Sequence, residues 1–218
     1  MFFRRTRIVV WKRCKAVYIR VPKSANTSLR HSLGDGRERR ACLALLRRRY
    51  RNHLVFSFVR NPWSRLVSTY RHKILTAPIS DRNYLNGVHR GFVKWSFPFR
   101  AGMPFEEFAE FVCARPDAKV EKHLKSQSHF LVHQGLLVPA YLGRLESIAH
   151  DWDELCRILG VTGELVRYNR ADGPPYPTYY SPRLVNLVGD RYREDIERFG
   201  YQYEPMATLA PLGAVRRP

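Results

Sequence analysis

The sequence predicts an α/β protein of three layers, with helices on both faces of a central parallel β-sheet. Two observations carry that reading. Val17-Tyr18-Ile19-Arg20-Val21 is an apolar, β-branched run that breaks at Pro22 and passes through small polar residues into a helical pattern. His53-Leu54-Val55-Phe56-Ser57-Phe58-Val59 is a nearly continuous apolar run of strand length, as in a strand covered on both faces, and it too feeds a helix, through Arg60-Asn61-Pro62. Strand, helix and strand over about 40 residues form a right-handed βαβ unit, whose ligands lie beyond the carboxyl ends of the strands. Both strand-to-helix loops are therefore expected to face one crevice.

Residues 7–11 read as a short first strand. A helix should follow from Thr27 or Ser28, with Leu29, Ser32 and Leu33 inward and Gly34-Asp35-Gly36 as its stop. A second helical piece is expected at 41–51, through Cys42, Leu45, Leu46 and Tyr50. After Arg60, Asn61 is the N-cap and Pro62 the first helical residue, and Leu66, Val67, Tyr70 and Ile74 form the buried stripe. Ser64 and Ser68 lie on one polar seam running back toward Arg60, because helical side chains lean toward the N-terminus. Residues 77–102 show no period and read as an irregular insertion able to shape an acceptor pocket. Phe105, Phe108, Ala109 and Val112 mark a helix over 105–114, and 121–130 is polar and histidine-bearing. Tyr141–Glu146 reads as a short strand, followed by an amphipathic helix through Ile148, Trp152, Leu155 and Leu159 that Gly160 ends. Residues 166–169 are expected as a last strand. Ser181-Pro182 should cap a final helix through Leu184, Val185, Val188, Tyr192 and Ile196, stopped by Gly200. The reading is one domain over 1–205 and a frayed tail over 206–218.

A chain of 218 residues with 44% hydrophobic and 13% aromatic residues is a folded globular protein, not a disordered one. No apolar run approaches the ~20 residues of a membrane span. Met1-Phe2-Phe3-Arg4-Arg5 has the flavour of a signal peptide, but Ile8-Val9-Val10-Trp11 is too short for its apolar region, so a soluble, unexported chain is expected. Cys14, Cys42, Cys113 and Cys156 are scattered without a CxxC pair, which suits reduced thiols better than a zinc or disulfide framework. The charge is uneven: residues 1–73 hold 20 Lys and Arg against 2 Asp and Glu, nearly the whole net charge of +19. Such a field attracts nucleic acid, polyanionic carbohydrate or a multiply phosphorylated nucleotide. The run Arg47-Arg48-Arg49 reads as solvated surface.

The loop after the first predicted strand is an anion site by construction, since a helix start offers free N–H groups. Lys23 adds a mobile charge at its mouth, while Asn26, Thr27 and Ser28 supply capping oxygens and donors. The second loop repeats the design with Arg60 at the strand end. The arrangement is P-loop-like, yet the GxxxxGK[ST] order is missing, because Lys23 directly follows Pro22. Arg60 also stands where a nucleoside triphosphatase would place a Mg²⁺-binding aspartate. Cations at both strand ends suit an anionic donor neutralised by Lys and Arg alone, with no metal.

Val21-Pro22-Lys23-Ser24-Ala25-Asn26-Thr27-Ser28-Leu29 resembles the 5′-phosphosulfate loop of sulfotransferases, and Phe58-Val59-Arg60-Asn61-Pro62-Trp63-Ser64-Arg65-Leu66-Val67-Ser68-Thr69-Tyr70 resembles their 3′-phosphate motif. The form is that of the carbohydrate sulfotransferases, the type of the HNK-1, chondroitin and dermatan enzymes. His123-Leu124-Lys125-Ser126-Gln127 is similar to that family's His-x-x-x-Gln segment, Gly143-Arg144-Leu145-Glu146 to its Gly-Arg-x-Glu strand, and Tyr179 through Tyr201 to its closing helix. Asn61 and Leu124 depart from the common Asp and Trp.

The resemblance implies the sulfotransferase fold and 3′-phosphoadenosine-5′-phosphosulfate (PAPS) as donor, with a carbohydrate or related hydroxyl as acceptor. Carried over, Pro22, Lys23, Ser24, Ala25, Asn26, Thr27 and Ser28 hold the 5′-phosphosulfate, and Arg60 and Ser68 the 3′-phosphate. Lys23 stabilises the departing phosphate, and His123 is the implied base, with His129 and His53 as rivals and Glu121 as a further candidate. Arg170, Tyr176 and Tyr180 are candidates to close over the adenine. Animal members carry a Golgi membrane anchor; none is visible here, so a cytoplasmic enzyme with no membrane span and no nucleic-acid partner is expected. Two other readings compete: a basic nucleic-acid-binding protein, and a P-loop kinase requiring Mg²⁺ and ATP. The acceptor's identity and the oligomeric state are not legible.

Overall fold

The computed structural model describes residues 4–75, 84–85, 88–93, 95, 97–166 and 173–205. The chain opens with β1 (Arg5–Trp11) and β2 (Ala16–Ile19), then α1 (Asn26–Ser32), β3 (Arg37–Cys42), α2 (Leu46–Arg49), β4 (Leu54–Val59) and α3 (Pro62–Tyr70). Minor elements follow: β5 (Tyr84–Leu85) and β6 (Val88–His89) form one small ladder, and α4 (Arg90–Val93) comes next. After α5 (Phe105–Cys113) and α6 (Ser128–Leu131), β7 (Val132–His133) and β8 (Leu136–Leu137) make a second ladder. The chain then runs through β9 (Tyr141–Arg144), α7 (Ile148–Leu159), α8 (Pro182–Arg191) and α9 (Arg193–Phe199).

The main sheet has the order β3-β1-β2-β4-β9. Strands β2, β4 and β9 are parallel, with Ala16 opposite Leu54 and Phe56 opposite Tyr141. The expected parallel core is there; β1 runs opposite to it, pairing antiparallel with β2 on one side and β3 on the other, and makes the whole sheet mixed. The reason is chain length: the Lys12–Lys15 connection can close a hairpin but cannot cross over the sheet. Period-two alternation sorts the core. Ile8, Val10, Val17, Ile19, Val55 and Val59 face one side, where Leu43, Leu46, Leu131 and Phe199 cover them. Val9, Trp11, Tyr18, Phe56 and Phe58 face the other, under Leu29 of α1 and Trp152 and Leu155 of α7. These are the three expected layers. A third cluster joins α3, α5 and α8 into a helical lobe around Tyr70, Phe108 and Val188.

The predicted helix over 41–51 is shorter than expected, and a strand missing from the sequence reading precedes it. Residues Arg37–Cys42 are mostly exposed and charged, so they carry no apolar alternation; their backbone pairing with β1 alone makes them a strand. The predicted single closing helix is two, broken at Tyr192, and Gly200 ends the second in the left-handed conformation (φ 63°). Residues 167–169 of the predicted last strand, residues 77–83, 86–87, 94 and 96 of the predicted insertion, and the tail 206–218 lie outside the described residues. Among the described residues no helix is long and apolar enough to cross a membrane.

Candidate functional site

A cleft of about 810 Å³ opens along the carboxyl ends of β2 and β4, lined by Lys23, Arg60, Ser68, Lys73 and His123 among others. The two loops named from sequence therefore meet in one place. The first is shaped by its own side chains. Lys23 and Ala25 both take the left-handed conformation, at φ 70° and 56°, which costs a non-glycine residue about 1–2 kcal/mol. Asn26 Nδ2 donates to the Val21 carbonyl (2.6 Å), and the Tyr18 hydroxyl lies 3.0 Å from both Asn26 Oδ1 and the Ser24 carbonyl. The expected side-chain cap on α1 is absent, because Ala25 occupies the N-cap and Asn26 is turned back into the loop. Ser24 is fully buried and turned away from the cleft. Pro22, Ala25, Asn26, Thr27 and Ser28 line the cleft with Lys23.

Gln127, fully buried, keys the second loop to the first. Its Oε1 accepts from the Arg60 N–H (2.9 Å) and the Ser24 hydroxyl (3.3 Å), while its Nε2 donates to the Arg60 carbonyl (2.7 Å). Buried Asp195 fixes Gln127 in turn, accepting from its N–H (2.6 Å) and from the Ser128 N–H and hydroxyl. Asn61 caps α3 as expected, its Oδ1 accepting from the N–H groups of Trp63 and Ser64. Glu146, just past β9, accepts from the Asn61 N–H (2.7 Å) and the Tyr201 hydroxyl (3.0 Å). Buried Arg65 ties the first loop to the histidine segment, with Nε donating to the Pro22 carbonyl (3.0 Å) and a terminal nitrogen to the His123 carbonyl (3.3 Å).

The electrostatics are dominated by closely spaced cations. Lys23 forms no hydrogen bond or ion pair among the described residues, and burial, then the charges of Arg60, Lys73 and Arg65, pull its pKa down to about 7. Arg60 is lowered to about 10, chiefly by burial, and its Nε donates to Ser64 Oγ (3.0 Å). Lys73 and His72 enter the cleft from a π-helical turn, Arg71–Leu75, that extends α3. Such turns re-aim side chains at functional sites. His72 is pushed down to about 4 by burial and then by Lys23 and Lys73.

His123 pairs with Glu121. One carboxylate oxygen, Oε2, lies 2.7 Å from both the His123 N–H and Nδ1. Burial raises the Glu121 pKa, but the hydrogen bonds from His123 outweigh it and hold the carboxyl below its ordinary value. His123 is lowered by burial, with Glu121 opposing. A carboxylate on Nδ1 fixes the tautomer that presents Nε2 as an acceptor. Among the rivals, His129 lines the same cleft, near Lys125 and Asp117. His53 precedes β4, at the opposite end of the strand from Arg60, and is no part of the site. Tyr180 donates to the Trp63 carbonyl and packs with Phe105 and Tyr203, and Tyr176 bonds to Glu204; both are aromatic-lobe residues rather than cleft residues. Arg170 lies outside the described residues.

Arg65, Lys73, His72, Glu146 and Asp195 escaped the sequence reading as site residues. Arg65, Glu146 and Asp195 fell inside quoted motifs, but no periodicity marks an arginine as buried or reveals a π-helical turn. Among the described residues no group of three or more His, Cys, Asp or Glu is placed to hold a metal ion.

Comparison with known proteins bears on this arrangement. The chain is 23% identical over 184 residues to carbohydrate sulfotransferase 10 of Danio rerio, covering 72% of this chain and 49% of that protein. It thus spans about half the length of that relative. No solved structure matches. The model of the sulfotransferase family matches residues 37–202, which takes in Arg60, His123, Gln127 and Glu146 but begins after the Lys23 loop. Over that span, three-quarters of its length, the chain belongs to the sulfotransferase family.

Proposed function

We propose that this sulfotransferase uses PAPS to transfer a sulfuryl group to a carbohydrate hydroxyl. The observation that carries the reading is the cleft's pair of cations: Lys23, which forms no ion pair among the described residues, and Arg60, on separate strand ends, are held in register by one buried glutamine. A donor with a phosphosulfate at one end and a 3′-phosphate at the other supplies an anion to each. In this reading Arg60 and Ser68 hold the 3′-phosphate, and the loop from Pro22 to Ser28 holds the 5′-phosphosulfate, with Ser24 serving through Gln127 rather than by contact. Such a donor supplies a sulfuryl group activated by a phosphate leaving group.

The protein's own residues then have separate tasks. His123 Nε2 takes the proton of the acceptor hydroxyl as its oxygen bonds to sulfur. On the opposite side the bond from sulfur to the bridging phosphate oxygen breaks, and Lys23 meets the charge that grows on that oxygen. Because this charge is larger in the transition state than in the ground state, Lys23 accelerates the step rather than merely tightening binding. Glu121 holds the His123 ring and stabilises the imidazolium.

The test is a labelled-PAPS transfer screen over glycan acceptors, run with and without EDTA. Lys23→Ala is expected to lower kcat by roughly 10²–10³, the cost of losing one transition-state charge contact, and His123→Ala by about 10²–10⁴. Transfer that survives in Lys23→Ala, or that needs Mg²⁺, contradicts the proposal.

A further inference from the structure

The face of the sheet turned away from α1 and α7 carries a patch that the donor cleft does not use. Arg37 and Arg39 stand opposite Val10 and Ile8 in the β1–β3 register. Cross-strand partners share a face, so both arginines project to the side that Leu43, Leu46, Leu131 and Phe199 cover. On that side residues 43–49 lie against the β7–β8 hairpin: Arg47 Nε donates to the Val138 carbonyl (3.0 Å) and a terminal nitrogen to the Leu137 carbonyl (2.9 Å). Leu43, Leu46, Leu137 and Val138 turn into the core there, while their neighbours Leu45 and Leu136 stay 50% and 71% exposed. Leu136 stands at the hairpin tip, because Gln134 and Gly135 both take the left-handed conformation (φ 50° and 78°) of a two-residue turn. Arg48, Arg49 and Arg51, all exposed, follow Leu45. Among the described residues no carboxylate forms an ion pair with Arg37, Arg39, Arg48, Arg49 or Arg51. Glu38, the one acid between residues 37 and 54, lies opposite Val9 on the other face and accepts from Arg20 (2.6 Å) and Arg30 (2.7 Å). Glu194 is paired with Arg198 (3.5 Å), which donates to the Gly135 carbonyl (3.1 Å).

We propose that this face docks on a lipid bilayer bearing anionic headgroups, with Leu45 and Leu136 entering the headgroup layer and the five arginines meeting its charge. Two apolar tips rimmed by cations match a surface that is negative outside and apolar within. A nucleic acid answers the arginines through its phosphates but offers the leucines nothing to bury in. The inference goes beyond the donor reading and stands without it. The 43–51 segment leads into β4 at the end of that strand opposite Arg60, so docking leaves the donor loops uncovered.

The test is cosedimentation of the full chain with vesicles of phosphatidylcholine alone and with vesicles in which about one-third is phosphatidylserine. The anionic vesicles should bind at least tenfold tighter. Arg48→Gln with Arg49→Gln should weaken that binding about tenfold, since each arginine near an anionic surface adds to the attraction. A control pair with the same loss of charge, Arg157→Gln with Arg183→Gln on α7 and α8, should change it less than threefold. Leu45→Ser with Leu136→Ser keeps the charge and should weaken binding at least fivefold. Leu136→Trp adds emission that lipids brominated along the acyl chain should quench. All these side chains are exposed, so each variant should melt at the wild-type Tm. Equal binding to both vesicles, or equal losses in the two arginine pairs, overturns the proposal, the latter because only the general basic field would then be at work. Unweakened binding in the leucine pair, or unquenched Leu136→Trp, overturns it as well. Duplex DNA that depends on Arg48 and Arg49 where vesicles do not would mark a nucleic-acid face instead.

Discussion

Binding of PAP, the desulfated donor, should draw a proton from solution onto Lys23. With a pKa of about 7 in the free protein, Lys23 is about one-tenth protonated at pH 8. Phosphate groups placed beside it return it toward the ordinary lysine range, so close to one proton is expected per PAP bound at pH 8 and about half a proton at pH 7. Affinity should accordingly weaken about tenfold per pH unit above pH 7.5. The two phosphate monoesters of PAP, each with a second pKa near 6, are almost fully ionised at pH 8 and contribute little. The low-lying histidines also stay neutral at pH 8, His72 titrating at about 4. Calorimetry in Tris and in Hepes, whose ionisation heats differ, gives the proton number directly. Lys23→Arg, always charged, should bind PAP with no uptake at pH 8. Zero uptake by the wild-type protein, or undiminished uptake by Lys23→Arg, would refute the placement of Lys23 against the donor phosphate.

Four further outcomes are expected. Gln127→Ala leaves the Arg60 N–H and carbonyl unpaired, at about 1–3 kcal/mol for each buried group, and should lower the Tm by roughly 5–15 °C together with PAP affinity. Glu121→Gln removes the charge that supports His123 protonation, so the rising limb of the rate–pH profile should move to lower pH while the plateau kcat falls. An unmoved profile would show that Glu121 does not act through His123. A Cβ at Gly143 would sit 2.4 Å from Phe58 Cε1, so Gly143→Ala should cost about 1–3 kcal/mol by chemical denaturation. Lys23→Met should stabilise the protein. The folded-state pKa of about 7 lies below the ordinary 10.5, so the destabilisation by the charged lysine is complete below pH 7 and fades as pH rises toward 10.5. The gain, on the order of 2 kcal/mol for this half-buried group, should therefore be largest at or below pH 7, by denaturation across that range.

The central architecture was legible because its signals are local. Ala16–Ile19 and Leu54–Val59 are buried strands that announce themselves by composition, and Asn61-Pro62 carries its own start chemistry. The loops could be paired from the βαβ rule alone. Strand β3 was not legible, since Arg37–Arg40 owe their conformation to backbone pairing rather than to any side-chain pattern. The mixed sheet follows from the brevity of the Lys12–Lys15 turn, a cue present in the sequence. Gln127 could be quoted from a motif, yet its task depends on contacts with Ser24 and Arg60, more than 60 positions away. No window of the chain contains those contacts.

The left-handed backbone at Lys23 and Ala25 has a kinetic consequence. Glycine-rich phosphate loops are conformationally permissive and lose more backbone freedom on becoming ordered. Here two ordinary residues hold the tight path, and Asn26, Tyr18 and Gln127 lock it by hydrogen bonds within the protein. The ordering entropy of the loop is thus spent during folding, and under the proposed function the donor meets a surface that is already ordered. Association should then run at the pace of electrostatically steered diffusion, falling steeply with added salt, rather than waiting on a loop to close.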